Sequence, residues 1–420
     1  MRIQALLWLL ICAVVLPAAA PADAPEVDDL VDLALRRAPA IAAMEARLEA
    51  ARERIAPAGA LPDPAFELMI QNEGFPDWTV GEMPMSMIGP QLSQAIPFPG
   101  KRSARREAAR AEARVGEQEL EALRRAVARE VRVAYAQVYA LDREAASLDA
   151  GRELLDLLAE TVAQRQRVGE SDQEAMLKTR LARSRLEERA RDLVAERAMA
   201  VAALNGLLDL PVDAPFGVVA SLPRFAAPSA AWDSLALKGA AELAVREAEA
   251  AAAVMRLRAA RADARPDFMA GAGVGLRGSM DPVVTLRLGM ELPLWSGSKQ
   301  RPLVRAAQAE EEAARADLRQ ARAGVRAEAA RLLADFQRAE EQILRYEESF
   351  LPQTSLAFQA ARSAYLAGRG DFSTVLEDMN LWLEARAGLA RREADRFAVL
   401  ARLDALTAPA PTPGNEGDSQ

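Results

Sequence analysis

The fold is decided by a turn at residues 97–102, Pro97-Phe98-Pro99-Gly100-Lys101-Arg102. Two segments with strand character come before it, at about 65–71 and 85–96. In the first of them Phe66, Leu68 and Ile70 alternate with Glu67 and Met69. A period of two is typical of a strand in a sheet with two unlike faces. From 101 to about 168 there is no proline, and apolar residues recur every three or four positions. This spacing predicts a helix roughly 100 Å long.

The same order of segments occurs again in the second half of the chain. A break at 169–172 leads into a second helix over about 171–208. Strands are then predicted at about 267–277 and 283–292, followed by the proline turn 293–297 and helices over about 299–367 and 371–407. Pro352 should kink the first of these two helices. Pro97 corresponds to Pro293 and Gly169 to Gly368, so the offset is nearly constant and indicates duplication of a whole unit.

The duplication divides the chain into four parts. Residues 1–22 read as a signal peptide, because Arg2 precedes a short apolar run and small residues surround a cleavage site after Ala22. The first repeat covers 23–222 and the second covers 223–407. The tail, 408–420, is rich in proline and glycine and is predicted to be disordered.

The composition excludes several classes of function. The 420-residue chain has no histidine and a single cysteine, Cys12, which lies in the predicted leader. A Ser-His-Asp site, an imidazole-bound zinc and a disulfide in the mature chain are therefore excluded. A net charge of -8 argues against a nucleic-acid partner. We see no catalytic site and expect no enzyme activity and no cofactor.

The predicted elements are mainly α with a small β part, and they constrain the architecture. Strands of about ten residues suit a tilted crossing of a bilayer, but four strands cannot close a barrel. Open strand edges are not tolerated in lipid, so several chains would have to share one barrel. The long helices carry charges throughout and must stand in water. We therefore expect a periplasmic helical tunnel joined to an outer-membrane pore.

These features resemble the outer membrane efflux protein family, the TolC-like proteins. The likeness rests on the signal peptide, the duplicated strand-strand-helix-helix order, the 97–102 turn and the two helical tips. The turn looks most like the heavy-metal efflux branch, which is similar to CzcC. The resemblance implies a homotrimer in the outer membrane of a Gram-negative bacterium. The three copies would share a twelve-stranded barrel in outer-membrane lipid. Their long antiparallel helices would form a periplasmic α-barrel. It also implies a periplasmic adaptor, the membrane fusion protein, and an inner-membrane pump of the resistance-nodulation-division (RND) class.

The resemblance also points to candidate site residues. Acids just past the second tip would line a periplasmic gate, and a ring of them would attract cations. The acidic candidates are Asp371, Glu377 and Asp378, and Thr374 stands where the family often has another acid. The alternative is a solvated helix start, where acids are favourable. The adaptor-contact tips would be Gly169, Glu170 and Ser171 together with Gly368, Arg369 and Gly370; the alternative there is an ordinary turn.

Three methionines give a weaker signal for a metal. Met83, Met85 and Met87 would share one face of a strand, and thioethers bind soft ions such as Cu(I). The alternative is an ordinary apolar loop or strand edge. The glycines of 273–278 spell a GxGxxG pattern, but they lie at a strand end with another strand after them. We interpret them as glycines of a crowded strand, not as a nucleotide site.

Several functions therefore remain open. The favoured one is a passive conduit that exports heavy-metal cations. Export of drugs or other organic toxicants, or type I protein secretion, would use the same architecture. A periplasmic coiled-coil adaptor would need a single hairpin with flanking β-domains. A structural envelope protein would not need two proline-bounded strand pairs.

Overall fold

The computed structural model describes residues 24–167, 173–225 and 232–407. The predicted signal peptide and tail lie outside this range. Helices precede each strand pair: α1 (Val27–Arg37), α2 (Pro39–Glu53) and α3 (Ile55–Ala58) come before the first, and α6 (Trp232–Gly239) and α7 (Ala241–Asp263) before the second. The strands are β1 (Ala65–Gln71), β2 (Met87–Ile96), β3 (Asp267–Arg277) and β4 (Met280–Glu291).

Two long helices follow each strand pair. The first pair is α4 (Lys101–Arg167) and α5 (Gln173–Leu207). The second pair begins with α8 (Gln300–Arg345), which passes through a π-helical turn (Tyr346–Phe350) into α9 (Leu351–Leu366), and ends with α10 (Phe372–Thr407). Among the described residues, no helix combines the length and apolar character needed to cross a membrane.

The predicted helix over 299–367 is interrupted, as Pro352 indicated. Pro352 has no N–H to donate to the carbonyl four residues earlier, and its ring crowds that carbonyl. The structure accommodates this with the π-helical turn at 346–350, directly before the proline.

Two strand boundaries differ from the prediction. β2 begins at Met87, two residues late, because Ser86 is fully buried and its hydroxyl binds the preceding loop, accepting the N–H of Glu73 at 2.8 Å. β4 begins at Met280, three residues early, because the hairpin turn has only two residues and Gly278 adopts a positive φ of 65°. Pro282 is tolerated in β4 because β4 is an edge strand of the sheet.

The four strands form one antiparallel sheet in the order β1-β2-β3-β4. β2 belongs to the first repeat and β3 to the second, and they pair directly, with Ile96 opposite Phe268. The two repeats therefore build one sheet together, although α4, α5, α6 and α7 lie between these strands in the chain.

By compactness the chain divides into two units, and each unit draws on both repeats. One contains Met1–Ala34, Glu130–Ala226 and Phe336–Leu400, and the other contains Leu35–Arg129, Ala227–Asp335 and Ala401–Gln420. We call the first the hairpin unit and the second the sheet unit. The repeats along the sequence are thus not separate compact bodies.

The core of the hairpin unit is built from heptad-spaced apolar residues. Buried side chains recur every seven positions on α4, α5, α9 and α10, for example Leu148, Leu155 and Val162 on α4. This spacing is the signature of coiled-coil packing. The sheet unit instead packs its helices through small residues, such as Ala111 of α4 against Ala252 of α7.

A buried carboxylate ties three helices of the hairpin unit together. Glu144 of α4 has a side chain 8% exposed and pairs with Arg189 of α5 at 2.7 Å and with Arg391 of α10 at 2.5 Å. Burial by itself raises the pKa of Glu144, but the hydrogen bonds from Arg391 and Arg189 outweigh it and hold that pKa below its ordinary value.

Candidate functional site

The tip after α9 is closed by a glycine in the left-handed region. Gly368 has a φ of 72°, and its N–H donates to the carbonyl of Tyr365 at 3.0 Å. The N–H of Arg369 donates to the carbonyl of Ala364 at 2.9 Å. These two bonds define a Schellman cap, which needs a residue that tolerates positive φ. A Cβ on Gly370 would lie 2.9 Å from the Tyr365 nitrogen. Glycine is therefore required at 368 by the backbone conformation and at 370 by the close approach of another backbone atom.

Asp371 caps the amino terminus of α10. Its Oδ1 accepts the N–H of Ser373 at 3.0 Å, and α10 begins at Phe372. This hydrogen bond is the largest influence on the pKa of Asp371 and lowers it. The positive charge of Lys178 lowers that pKa further. Asp371 is therefore a charged helix cap. This is compatible with a solvated helix start, and the gate role of Asp371 stays a prediction.

The other gate candidates follow Asp371 along the first turns of α10. Thr374 and Glu377 are exposed and Asp378 is half-buried. Phe372 and Met379 are buried in the core of the hairpin unit. The helix thus has a fixed inner side, and Thr374 and Glu377 stay available to solvent or to a second molecule. Within the described ranges, no three or more His, Cys, Asp or Glu side chains are placed so that they could together hold a metal ion.

Two basic residues join neighbouring helices to the second tip, and neither was predicted from the sequence. Lys178 of α5 contacts the hydroxyl of Ser373 on α10 and pairs with Glu174 at 2.6 Å. The hydrogen bond to Glu174 is the largest influence that raises the pKa of Lys178, and the charges of Asp371 and Glu377 raise it further. The only sequence signal for this residue is its spacing of four from Glu174, typical of helix pairs.

Arg165, near the end of α4, makes the second connection. Its Nη2 donates to the carbonyl of Leu366 at 3.2 Å, and its guanidinium lies 4.6 Å from the ring centroid of Tyr365. It therefore satisfies a carbonyl at the end of α9. The predicted first tip, Gly169, Glu170 and Ser171, lies outside the described residues.

The sheet has one face that is apolar across all four strands. The pairing register places alternate residues on this face, with Phe66 opposite Leu92 and Leu92 opposite Ala272. Most of its large side chains are at least half exposed, and Leu288 reaches 90%. The members of this apolar face that are at least half exposed are Phe66, Leu68, Ile70, Leu92, Leu276, Val284, Leu286, Leu288 and Met290.

The opposite face is polar and rich in glycine. One row across the strands consists of Glu67, Gln91, Gly273 and Thr285. A Cβ on Gly273 would lie 2.7 Å from Cγ of Gln91. The side chain of Gln91 therefore occupies the space that a side chain at position 273 would need. This supports the interpretation of the GxGxxG pattern as crowded strand glycines. The sheet thus exposes a continuous apolar face, which is unusual for a soluble protein.

The methionine prediction is wrong in its premise. Because β2 begins at Met87, Met83 and Met85 lie in the preceding loop, where both are exposed, and they do not share a strand face with Met87. Met87 is buried and lies close to Gly275 of β3, where an added Cβ would be 2.4 Å from its sulfur. Met87 therefore has a packing role.

The chain belongs to the outer membrane efflux protein family, whose sequence profile matches residues 30–210 and 232–408. The matched segments lie on either side of the predicted repeat boundary at 222–223, and the bounds of the repeats stay a prediction. The family comprises transport conduits and not enzymes, so the chain is a channel component of efflux systems. A comparison with curated proteins gave no match.

Solved structures of outer-membrane channels share the fold over nearly the whole chain. The protein VceC from Vibrio cholerae is 19% identical, with a TM-score of 0.77 over 91% of this chain and 96% of VceC. CusC is 17% identical, with a TM-score of 0.72 over 92% of each chain. The open state of the MtrE channel from Neisseria gonorrhoeae is 17% identical, with a TM-score of 0.70 over 92% of this chain and 90% of MtrE. The fold is therefore that of TolC-like channels.

Proposed function

We propose that the protein is the outer-membrane conduit of a tripartite exporter and works as a homotrimer. It is passive: substrate passes through it, and the energy comes from a pump in the inner membrane. The observation that carries this proposal is the four-stranded sheet, which has an exposed apolar face, a polar face and two open edges.

The apolar face supports a position in lipid. A continuous apolar surface of this extent is costly in water but favourable against lipid chains. In lipid, however, every strand edge must be paired, so the free edges of β1 and β4 require further strands. Three copies supply twelve strands, enough to close a barrel whose polar face surrounds water.

Fractionation and mass measurement test this proposal. The mature chain should stay with the outer membrane when peripheral proteins are washed off. In detergent its mass should be about three times that of the monomer. A chain that is washed off as a monomer would contradict the proposal.

We assign the gate of this conduit to the start of α10, with Asp371, Thr374, Glu377 and Asp378 around its aperture. The exposure of Glu377 and its charge interaction with Lys178 support this assignment. Glu377→Ala should raise the conductance in planar bilayers and weaken block by divalent cations, since an acidic ring would be lost. Glu384→Ala, an exposed acid two turns further along α10, is the matched control. Equal behaviour of the two variants would remove Glu377 from the gate.

The partners and the cargo are proposed from the family resemblance. A periplasmic adaptor would dock on the tips at 169–171 and 368–370, and an RND-type pump would supply the cargo. The likeness of the 97–102 turn to the heavy-metal branch favours cations as cargo, and acids at the gate would attract them. The alternative cargo is an organic toxicant or, for a type I secretion system, a protein.

A deletion strain distinguishes the cargo classes. It should be grown on graded copper, silver, zinc, cobalt and cadmium salts beside dyes, bile salts and antibiotics, with the intact gene restored as the control. Selective sensitivity to metals supports heavy-metal export. Sensitivity to the organic compounds alone would refute it and leave the conduit standing.

A further inference from the structure

Two helix ends meet at one end of the sheet. Antiparallel pairing places Asp267, the first residue of β3, opposite Glu291, the last residue of β4. Helix α7 ends shortly before β3, and α8 begins shortly after β4. The two helices are neighbours, because Arg322 of α8 pairs with Glu247 of α7 at 2.9 Å. The residues just before β3 and just after β4 therefore lie near one another, beside the same end of the sheet.

Both of these segments are strongly basic. Residues 256–265 contain four arginines and one acid, and residues 299–309 contain three cations and no acid. The acid, Asp263, already pairs with Arg105 at 2.8 Å, and Arg256 pairs with Glu112 at 2.9 Å. The chain as a whole has a net charge of -8, so this excess is local. We call the six other cations of the two segments the basic belt; they are Arg258, Arg261, Arg265, Lys299, Arg301 and Arg305.

The cations of the basic belt are available to a second molecule. All six residues are exposed, and none of them forms an ion pair within the part of the chain that the structure describes. Arg258 and Arg261 share one face of α7, and Arg301 and Arg305 share one face of α8. Cations at the start of α8 oppose the dipole of that helix, so the stability of the helix does not account for them.

The basic belt adjoins the apolar face of the sheet. Phe268 belongs to this face by the alternation of β3, and its ring stacks on that of Phe98 with the centroids 6.1 Å apart. The guanidinium of Arg265 lies 5.1 Å from the centroid of the Phe98 ring. Beyond β4, Trp295 is 77% exposed, and its carbonyl accepts the N–H of Lys299 at 2.9 Å. An exposed apolar surface therefore leads directly to cations without partners of opposite charge.

The other end of the sheet carries the opposite charge. Residues 72–86 and 277–281, which join the strands there, contain four exposed acids and a single arginine. The acids are Glu73, Asp77, Glu82 and Asp281. The excess of cations is thus a property of one end only, and it distinguishes the two ends of the apolar face.

We propose that the basic belt binds the phosphate groups of anionic phospholipids of the phosphatidylglycerol class. Arginine and lysine donate charge-assisted hydrogen bonds to phosphate oxygens. The acyl chains would lie along the apolar face, and the ring of Trp295 suits the boundary between acyl chains and headgroups. One lipid would thus contact both surfaces. This inference rests on the proposed position of the sheet in lipid and adds the class of lipid that is preferred at this end.

Lipid retention measures this preference. The purified protein in a neutral detergent is incubated with equal amounts of phosphatidylglycerol or phosphatidylcholine, and the lipid that stays bound per chain is measured after gel filtration. One cation at an anionic lipid surface strengthens binding by about fivefold. The wild type should therefore retain at least about fivefold more phosphatidylglycerol than phosphatidylcholine. High salt should reduce this excess, because it screens exposed charges.

Charge reversal identifies the residues. The belt variant combines Arg258→Glu, Arg265→Glu and Lys299→Glu and should lose the excess of phosphatidylglycerol. The matched control makes the same change of charge at three exposed arginines of the hairpin unit and should keep the excess; it combines Arg180→Glu, Arg185→Glu and Arg345→Glu.

Milder substitutions separate charge from folding. Arg258→Lys with Arg265→Lys keeps both charges and should keep most of the excess. If the belt variant loses the helical circular dichroism signal of the wild type, it is replaced by a combination with a smaller change of charge. That combination is Arg258→Gln, Arg265→Gln and Lys299→Gln, and it should again lose the excess.

The possible results distinguish this inference from the proposed function. If the protein stays in the outer membrane but retains both lipids equally, the basic belt does not select a lipid and the proposed function stands. The same holds if the belt variant and its control lose the excess alike. If inorganic phosphate removes the phosphatidylglycerol and sodium chloride at the same ionic strength does not, the belt binds free anions, which overturns the assignment to lipid. If the protein is washed off the membrane as a monomer and retains neither lipid, both proposals fail.

Discussion

Replacing Glu144 by glutamine should destabilise the hairpin unit through the two arginines that the carboxylate joins. The side chain is 8% exposed, and it accepts from Arg189 at 2.7 Å and from Arg391 at 2.5 Å. A hydrogen bond to a charged group contributes about 1.5–3 kcal/mol. The arginine side chains are 34% and 53% exposed and can turn to water, so the low end of that range applies. We expect a loss of about 2 kcal/mol in the free energy of unfolding.

The assay is thermal unfolding of the purified protein in detergent, followed by the helical circular dichroism signal at one fixed protein concentration. For a cooperative unit of this size, 1 kcal/mol shifts the midpoint by roughly 2–4 °C. Glu144→Gln should therefore lower the midpoint by about 4–8 °C. Glu340→Gln is the matched control, because Glu340 pairs with Arg396 at 2.9 Å but its side chain is 46% exposed. The control should shift the midpoint by no more than about 2 °C.

The pH dependence gives a second measurement of the same interaction. The pKa of Glu144 is lower in the folded protein than the ordinary value of about 4.3, so the unfolded chain takes up this proton first. The stabilisation is complete above that ordinary pKa and is lost as the pH falls through the folded one. The difference between wild type and Glu144→Gln should therefore shrink below about pH 4. Equal midpoint shifts for Glu144→Gln and Glu340→Gln at pH 7 would refute the reasoning.

Two further predictions compare matched substitutions. Gly388→Ala on α10 should lower the unfolding midpoint, because an added Cβ would lie 2.6 Å from the ring of Tyr346 and overpacking costs about 1–3 kcal/mol. A Cβ added at Gly324 on α8 would have no atom within 4 Å. Gly324→Ala should therefore raise the midpoint slightly, because alanine favours a helix more than glycine does. Equal shifts for the two variants would contradict the packing argument. Leu286→Arg on the apolar face should reduce the amount of trimer in the outer membrane, since an arginine facing lipid costs about 2–4 kcal/mol at mid-depth. Thr285→Arg on the polar face should be tolerated, and equal losses in immunoblots of membrane fractions would contradict the assignment of the faces.

Local patterns predicted the elements of this fold well. The proline-free stretch 101–168 contains α4, and the alternating residues 65–71 form β1. These are signals within one element, and they depend on neighbours two to four residues away. The same holds for Pro352, because the lost hydrogen bond is local.

Most of the errors came from interactions with distant residues, whereas the early start of β4 follows from the local two-residue turn at Gly278. The start of β2 depends on the buried hydroxyl of Ser86, which binds the loop between the strands. The connection made by Lys178 depends on α10, almost two hundred residues further along the chain. Asp371 carries both a local and a distant signal: its capping hydrogen bond follows from sequence position, whereas its interaction with Lys178 does not. The local sequence therefore predicts that Asp371 caps a helix, but it does not predict whether Asp371 lines a gate.

The duplicated sequence explains why one proline turn of this sheet is covered and the other is exposed. Each repeat supplies a strand start and a proline turn, and within the chain these meet once, at Asp267 and Lys101. The remaining strand start and turn lie at opposite edges of the sheet, exposed and carrying opposite charges at Asp63 and Lys299. A soluble protein would protect such edges with charge or cover them with another element. Among the described residues neither edge is covered by another element, which is what the proposed conduit of identical copies requires.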